Sequence, residues 1–305
     1  MKPPSNPRSG ILLVDKPQGI TSHDVVARAR KSIGTRKVGH AGTLDPMATG
    51  LLVLGVNNST RLLTWIVGLD KEYTATIRLG AASNTDDADG DLGQRVDAAA
   101  LAAVSAEAIA TEVAALTGPI SQRPSSVSAI KVDGTRAYTL VRAGEEIVLA
   151  ERPVTVRAFD VLDTRRADWI DLDVRVECST GTYIRALARD LGAALGVGGH
   201  LTALRRTRIG PFTVDAASGL DADLAPAMLE PAEVATTLFA QVRLDAQHSA
   251  DLAHGKRIPL SVESDRPIAA IDPDGRLIGL VENIAGRAHV LVNFPPDTRH
   301  EEGTA

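Results

Sequence analysis

A twelve-residue stretch, residues 39–50, contains the side chains best suited to chemistry: one carboxylate, Asp45, and one imidazole, His40. Its three glycines and its proline predict a shaped loop rather than a helix or a strand. Pro46 favours extended backbone at the residue before it, so we expect the carboxylate of Asp45 to project from the loop. The alternative interpretation is a structural turn in which Asp45 caps its own backbone.

The apolar run that follows this loop, residues 51–56, has the length and composition of a buried strand. Loops that carry function are commonly held by a rigid scaffold of this kind. We therefore expect the strand to anchor the loop and to fix the position of Asp45.

Positive charge is segregated along a chain whose net charge is −5. Residues 25–44 contain five bases and no acid, and residues 191–214 contain three clustered arginines and no acid, whereas acids are concentrated in residues 86–91. A basic patch on an acidic protein is typical of contacts with a phosphate backbone. A solvated helix face would give the same pattern, and composition alone does not separate the two.

Periodicity and capping signals predict the elements that must position these side chains. The main helices are expected over residues 23–33, 97–116 and 182–195, and the main strands over residues 51–56, 71–79, 154–162, 170–178 and 201–209. Residues 120–126 show no regular pattern. After residue 244, a helix over residues 246–253 and strands over residues 268–271, 277–281 and 289–292 predict a β-module of roughly 55 residues, too small for an enzyme core.

Several classes of site lack their signatures in this chain. A single cysteine, Cys178, allows no intramolecular disulfide, which favours a cytoplasmic location. No segment approaches the ~18 apolar residues of a membrane helix, so no membrane association is expected. The seven histidines lack metal-ligand spacing. There is no phosphate-binding glycine loop, no HExxH pair and no G-x-S-x-G elbow.

Four motifs together resemble the TruB-type pseudouridine synthases, which make pseudouridine at position 55 in the TΨC arm of tRNA. They are the loop at residues 39–50, Lys71-Glu72-Tyr73, Gly181-Thr182-Tyr183-Ile184-Arg185 and Leu204-Arg205-Arg206. The resemblance extends to about residue 215. The C-terminal module resembles a PUA domain, an RNA-binding fold.

The resemblance implies an α+β fold with a mixed, mostly antiparallel central sheet flanked by helices, plus a small β-barrel-like PUA module. It implies a catalytic domain over residues 1–239, with a mobile insertion at about residues 121–152. A PUA-like RNA-binding domain would occupy residues 240–297.

By the same resemblance, three residues are catalytic. Asp45 is the nucleophile, and Arg185 pairs with it, which would keep a buried carboxylate ionised. Tyr73 can stack on the uracil, and its hydroxyl is a candidate acceptor of the C5 proton. Whether Asp45 adds to the uracil ring or promotes a glycal on the sugar stays open.

Three further residues match positions that bind the substrate. Tyr183 and Leu204 line the base pocket, and His40 contacts the RNA and fills the space left when the target base is flipped out. Phosphate contacts are expected from Arg28, Lys31, Arg36, Lys37, Arg205 and Arg206.

The expected partner is tRNA, through its TΨC stem-loop, and the expected state is a monomer. The reaction needs no redox step and no hydrolysis, so we expect no metal and no small-molecule cofactor.

Two alternatives belong to other functional classes. One is an RNA-binding or RNA-folding protein with an idle pocket, and the other is a hydrolase of small molecules with an Asp nucleophile.

Overall fold

The computed structural model describes residues 8–125, 131–132, 135–136 and 149–297 of the 305-residue chain. Most of the predicted insertion, residues 121–152, therefore lies outside the described residues. The helices are α1 Ser22–Ile33, α2 Leu63–Val67, α3 Ala98–Ala103, α4 Ala106–Ala115, α5 Ile184–Ala194, α6 Pro231–Leu238 and α7 Ala246–Ala253. The strands are β1 Gly10–Lys16, β2 Val38–His40, β3 Thr49–Val56, β4 Lys71–Leu79, β5 Gly118–Gln122, β6 Lys131–Val132, β7 Thr135–Arg136, β8 Arg152–Arg166, β9 Ile170–Cys178, β10 Gly199–Ile209, β11 Phe212–Thr213, β12 Ser218–Gly219, β13 Ala240–Arg243, β14 Ile268–Ile271, β15 Leu277–Ile284 and β16 Arg287–Asn293.

The chain divides into two compact units. The first comprises Met1–Pro46, Gly50–Gly68 and Pro211–Ala305, and the second comprises Met47–Thr49 and Leu69–Gly210. In the first unit, β1 pairs parallel with β12 and antiparallel with β3, and β2 pairs antiparallel with β3. The predicted strand over residues 51–56 is confirmed as the buried part of β3.

Helix α1 packs on the sheet of the first unit, and its bounds follow from its sequence. Thr21 caps it in a reciprocal capping box with Asp24, and Gly34 ends it in the left-handed conformation, with φ 81°. Its buried side includes Val25 and Ala29, four residues apart, within a core shared with β1 and β3. The helix predicted over residues 23–33 is thus confirmed.

The C-terminal module of the first unit is a four-stranded sheet in the order β13-β14-β15-β16. Helix α7 and this sheet share a core that includes Leu252, Ile268 and Val281. The predicted helix over residues 246–253 and the three predicted strands are confirmed, and β13 adds a parallel strand that the sequence pattern did not indicate.

The second unit contains an antiparallel sheet in the order β10-β4-β9-β8-β5. Strand β4 alternates between buried and half-buried positions along its whole length, as its period-two pattern predicts. The predicted α+β class with mostly antiparallel strands is confirmed. Among the described residues, no helix is long and apolar enough to cross a membrane.

Helix α5 lies very close to β10 because glycines meet at the contact. A Cβ atom added to Gly192 would lie 2.1 Å from the backbone nitrogen of Gly199, a distance that no side chain tolerates. Gly198 has φ 71°, a conformation that favours glycine. The helix that carries Arg185 and the strand that carries Leu204 are therefore held together at backbone contact distance.

Two predicted elements of the second unit are wrong in detail. The helix predicted over residues 97–116 is two helices, α3 and α4, because Val104 is extended and Ser105 starts a new helix by accepting a hydrogen bond from the amide of Ala108. Residues 120–126, predicted as irregular, begin in strand β5, which pairs with β8. Strand pairing with a distant segment is not visible in local periodicity.

Candidate active site

The loop that carries Asp45 connects β2 to β3, and Asp45 itself, which belongs to the first unit, is half-buried. The loop is shorter than the predicted twelve residues, because His40 ends β2 and Thr49 begins β3. The amide of Ala41 donates to the carbonyl of Val53 at 2.9 Å, which ties the start of the loop to the buried strand. The expected anchoring by β3 is confirmed.

Ser22 binds the residue before Asp45 through both backbone groups. Its Oγ accepts a hydrogen bond from the amide of Leu44 at 2.9 Å and donates one to the carbonyl of the same residue at 3.1 Å. Ser22 is only 1% exposed, so water does not compete for these bonds. One hydroxyl therefore fixes Leu44 in position.

The residue after Asp45 is held in a similar way. The carbonyl of Pro46 accepts hydrogen bonds from the amide of Gly19 at 2.8 Å and from Nζ of Lys16 at 3.3 Å. Lys16 is fully buried, and its ammonium also donates to the carbonyls of Pro17 and Ile20. The backbone on both sides of Asp45 is therefore bonded to β1 and to the start of α1, which fixes the point from which its side chain projects.

His40 is half-buried at the end of β2, and its ring contacts that of His23 in α1. The ring centroids are 5.7 Å apart and the ring planes are inclined by 79°, an edge-to-face arrangement.

Four predicted phosphate-binding residues are exposed in the first unit. Arg28 and Lys31 lie on α1, and Arg36 and Lys37 lie in the turn before β2. Lys37 donates to the side-chain oxygen of Asn58 at 3.1 Å. Within the described part of the chain, none of these four cations forms an ion pair with a carboxylate at contact distance.

The other predicted site residues lie in the second unit. The pairing of β4 with β10 places Tyr73 near Leu204. Tyr73 is 7% exposed on β4, where it faces Arg206 of β10 in register. Leu204 is 8% exposed on β10 and pairs with Ala75, two residues after Tyr73. Arg206 is 1% exposed, in contrast to the exposed bases of the first unit.

Arg205 is half-buried on β10, next to Arg206 in sequence. Its Nη1 donates to the hydroxyl of Thr49 at 3.4 Å. The guanidinium is therefore held at the first residue of β3 rather than extended fully into solvent.

Tyr183 immediately precedes α5 and is held through its backbone. Its amide donates to the side-chain oxygen of Gln122 at 2.8 Å, and its carbonyl accepts from the side-chain nitrogen of the same residue at 3.0 Å. Gln122 is 2% exposed at the end of β5. Sequence analysis did not identify Gln122, since its partner lies 61 residues away.

Arg185 is 4% exposed on α5 and binds the loop that sequence analysis described only as acidic. Its Nη1 donates to the carbonyl of Thr85 at 2.8 Å and lies 3.2 Å from Oδ2 of Asp87. Asp87 is 4% exposed, and its other oxygen accepts from the hydroxyl of Thr85 and the amide of Asp89. The predicted pairing of Arg185 with Asp45 stays a prediction.

A second ion pair fixes the same loop one helical turn further along α5. Nη1 of Arg189 lies 3.2 Å from Oδ2 of Asp86, which also accepts from the hydroxyl of Ser125 at 2.6 Å. Sequence reasoning missed these two aspartates as site residues. The sequence does contain a signal for them. Asp86 and Asp87 are adjacent acids, and two arginines four residues apart on a predicted helix share one face and could bind them.

Lys71 lies on the same side of β4 as Tyr73, and its side chain is buried. Burial, together with the positive charge of Arg206, lowers the pKa of its ammonium to about 8. Lys71 faces Cys178 of β9 in register, and burial raises the pKa of that thiol to about 11. Cys178 is therefore an unreactive buried thiol near neutral pH.

Within the described ranges, no group of three or more His, Cys, Asp or Glu side chains is placed to hold a metal ion. The described arrangement offers a carboxylate on a fixed stretch of backbone and an imidazole in one unit. The other unit offers a buried tyrosine and a buried guanidinium. Such groups are suited to nucleophilic attack and proton transfer on a polar substrate.

Three consecutive parts of the chain match known family descriptions. Residues 30–184 match the N-terminal domain of the TruB family of pseudouridylate synthases. Residues 185–239 match the tRNA pseudouridylate synthase B C-terminal domain, and residues 239–295 match the C-terminal part of tRNA pseudouridine synthase II.

Curated relatives and solved structures are similar over nearly the whole chain. A protein of Leifsonia xyli subsp. xyli named tRNA pseudouridine synthase B is 62% identical over 295 residues, which cover 95% of this chain and 97% of that protein. A protein of the same name from Paenarthrobacter aurescens is 53% identical, covering 95% and 96% of the two chains. A chain in a crystal structure of a Cbf5-Nop10-Gar1 complex superposes with a TM-score of 0.70 at 25% identity, covering 94% of this chain and 85% of that one.

Proposed function

Because the chain belongs to the TruB family of pseudouridylate synthases, we propose that it isomerises uridine 55 in the TΨC arm of tRNA to pseudouridine. The family and the fold class expected from the sequence motifs are confirmed. The substrate is inferred from the names of the relatives, which are called tRNA pseudouridine synthase B. In the proposed reaction the base is detached from the ribose, rotated and reattached through carbon.

The observation that carries this proposal is the double attachment of the loop around Asp45. Ser22 holds Leu44, while Gly19 and Lys16 hold Pro46, so the backbone that carries the Asp45 carboxylate is pre-positioned. Orientation of a reacting group in advance removes much of the entropic part of a barrier. Asp45 is the proposed nucleophile, either on the uracil ring or in the formation of a glycal.

The residues of the second unit take the other proposed roles. Arg185 holds Asp45 ionised, since a nearby cation offsets the cost of burying a carboxylate. Tyr73 stacks on the uracil and accepts its C5 proton, and Tyr183 and Leu204 line the base pocket. Gln122 supports this pocket by holding the backbone of Tyr183.

Residues of both units are proposed to contact the RNA. His40 fills the space left by the flipped base, and the exposed bases of the first unit bind phosphates. Arg205 and Arg206, also proposed to contact phosphates, are less accessible than these bases. Residues 1–239 form the proposed catalytic domain, and residues 240–297 form the proposed PUA-like RNA-binding domain. The monomeric state and cytoplasmic location stay predictions.

The decisive experiment maps pseudouridine in unmodified tRNA after incubation with the protein, using base-specific chemistry. We expect modification at position 55 alone. Asp45→Asn should abolish the product while tRNA binding survives, and Asp221→Asn, which changes an exposed carboxylate, serves as the control. Binding without product by the wild-type protein would indicate an RNA-binding protein instead. Full turnover by Asp45→Asn would reject the assigned nucleophile.

A further inference from the structure

His23 is an exposed imidazole beside the proposed active-site loop. It is the second residue of α1, and its ring meets that of His40 at 5.7 Å with an inclination of 79°. His23 is exposed and His40 is half-buried, so His23 is the outer member of the pair.

The neighbours of His23 do not account for this placement. The carboxylate of Asp24, the next residue, accepts from the amide and the hydroxyl of Thr21, and these bonds hold its pKa below the usual value. No hydrogen bond or ion pair joins the imidazole of His23 to any residue in the described part of the chain. The ring of His23 is therefore positioned by its edge-to-face contact with His40.

The position of His23 on α1 relates it to the surface proposed for RNA. Lys31 lies eight residues further along the helix, about 12 Å away at the rise of an α-helix. Ala27, between them, is exposed and small, so no bulky side chain separates the imidazole from the basic end of α1. A phosphate backbone that crosses this side of α1 therefore reaches His23 beside His40.

We propose that His23 is a positioning residue that holds the ring of His40 in the orientation with which it meets the RNA. This inference rests on the proposed function, because it uses the RNA contact assigned to His40. The physical basis is pre-organisation: a ring already packed edge-to-face loses less rotational freedom when the substrate binds. The role requires an aromatic ring at position 23 and does not require a charge.

The experiment measures single-turnover pseudouridine formation on a TΨC stem-loop, with protein in excess over RNA but below the dissociation constant of the complex. His23→Ala should lower the apparent second-order rate constant by about three- to ten-fold, the range expected for one aromatic pair. His23→Phe keeps a ring and should stay within about two-fold of the wild type. Ser32→Ala, at another exposed position of α1, is the control variant.

A double-mutant cycle with His40→Ala separates positioning from an independent effect of His23. If His23 acts through His40, then His23→Ala costs less than about two-fold when His40 is already alanine. Equal losses in both backgrounds, or a loss below two-fold in the wild-type background, would overturn the proposal. Loss of activity in His23→Phe equal to that in His23→Ala would also overturn it. Failure of the proposed function is distinguished at once, because the wild-type protein would then form no pseudouridine.

Discussion

Arg185 and Asp87 form a buried ion pair between helix α5 and the loop that follows β4. Nη1 and Oδ2 are 3.2 Å apart, and the side chains are 5% and 6% exposed. The same nitrogen donates to the carbonyl of Thr85 at 2.8 Å, so the guanidinium is held by a charge and by a backbone group. The sequence indicates only that acids are concentrated in this loop, and the structure shows that one of them orients a proposed catalytic residue.

The first prediction concerns this pair. Asp87→Asn should lower the free energy of unfolding by about 3 kcal/mol, because it removes a negative charge beside a buried guanidinium. Urea denaturation followed by circular dichroism measures the change. Asp89→Asn, at an exposed position of the same loop, should leave stability within about 0.5 kcal/mol of the wild type. Equal stability of the two variants would contradict a structural role for the pair.

The second prediction tests the geometry of Arg185. Arg185→Lys keeps the charge and loses the planar fork, so the single-turnover rate should fall by about ten-fold or more while the dissociation constant of tRNA changes by less than about three-fold. Arg189→Lys is a matched control, since Arg189 lies one turn along α5 and pairs with Asp86. An unchanged rate in Arg185→Lys would remove this residue from the proposed active site.

The third prediction concerns Ser22. Ser22→Ala leaves the amide and the carbonyl of buried Leu44 without their hydroxyl partner, which should cost about 1–3 kcal/mol of stability. The single-turnover rate of pseudouridine formation should fall by about ten-fold. Asp45 directly follows Leu44 in the chain, so its position becomes less well defined when Leu44 loses these hydrogen bonds. Ser22→Thr restores a hydroxyl and should recover most of the rate. A rate unaffected by Ser22→Ala, measured under single-turnover conditions, would show that this contact does not position Asp45.

The fourth prediction uses the depressed pKa of Lys71. The folded protein releases this proton at about pH 8, whereas the unfolded chain keeps it to the model-compound value of 10.5. Between these values the unfolded state binds more protons, so this residue makes stability rise with pH, by about 3 kcal/mol in total. Below pH 8 the buried ammonium is destabilising.

Chemical denaturation of the wild type and of Lys71→Met between pH 7 and 10.5 measures this effect. The free-energy advantage of Lys71→Met should be largest at pH 7 and should shrink as pH rises through the window. Because Lys71 and Cys178 interact electrostatically, both proteins carry Cys178→Ala, so that the thiol does not contribute to the difference. A difference independent of pH would mean that Lys71 keeps its ordinary pKa in the folded protein.

Local signals in the sequence were sufficient for the elements that carry the proposed site. The cap at Thr21 and the stop at Gly34 bound α1, and the alternation of residues 71–79 matches β4 at both ends. These signals are informative because helix capping and the alternation of buried and exposed residues both depend on residues that are neighbours in the chain. The motifs around Asp45, Tyr73 and Arg185 were likewise enough to indicate the family.

Only the tertiary structure decided which groups support those residues. Arg185 lies 98 residues from Asp87, and Gln122 lies 61 residues from Tyr183, so neither pairing is visible as a local pattern. The burial of Asp87 also depends on the tertiary structure. An aspartate in a glycine-containing loop is expected to face water, unless a cation from a distant part of the chain compensates for the cost of removing it from water. Pairing of distant groups in a shared interior is a property of the packed chain, and for this protein it determines how the proposed catalytic side chains are held.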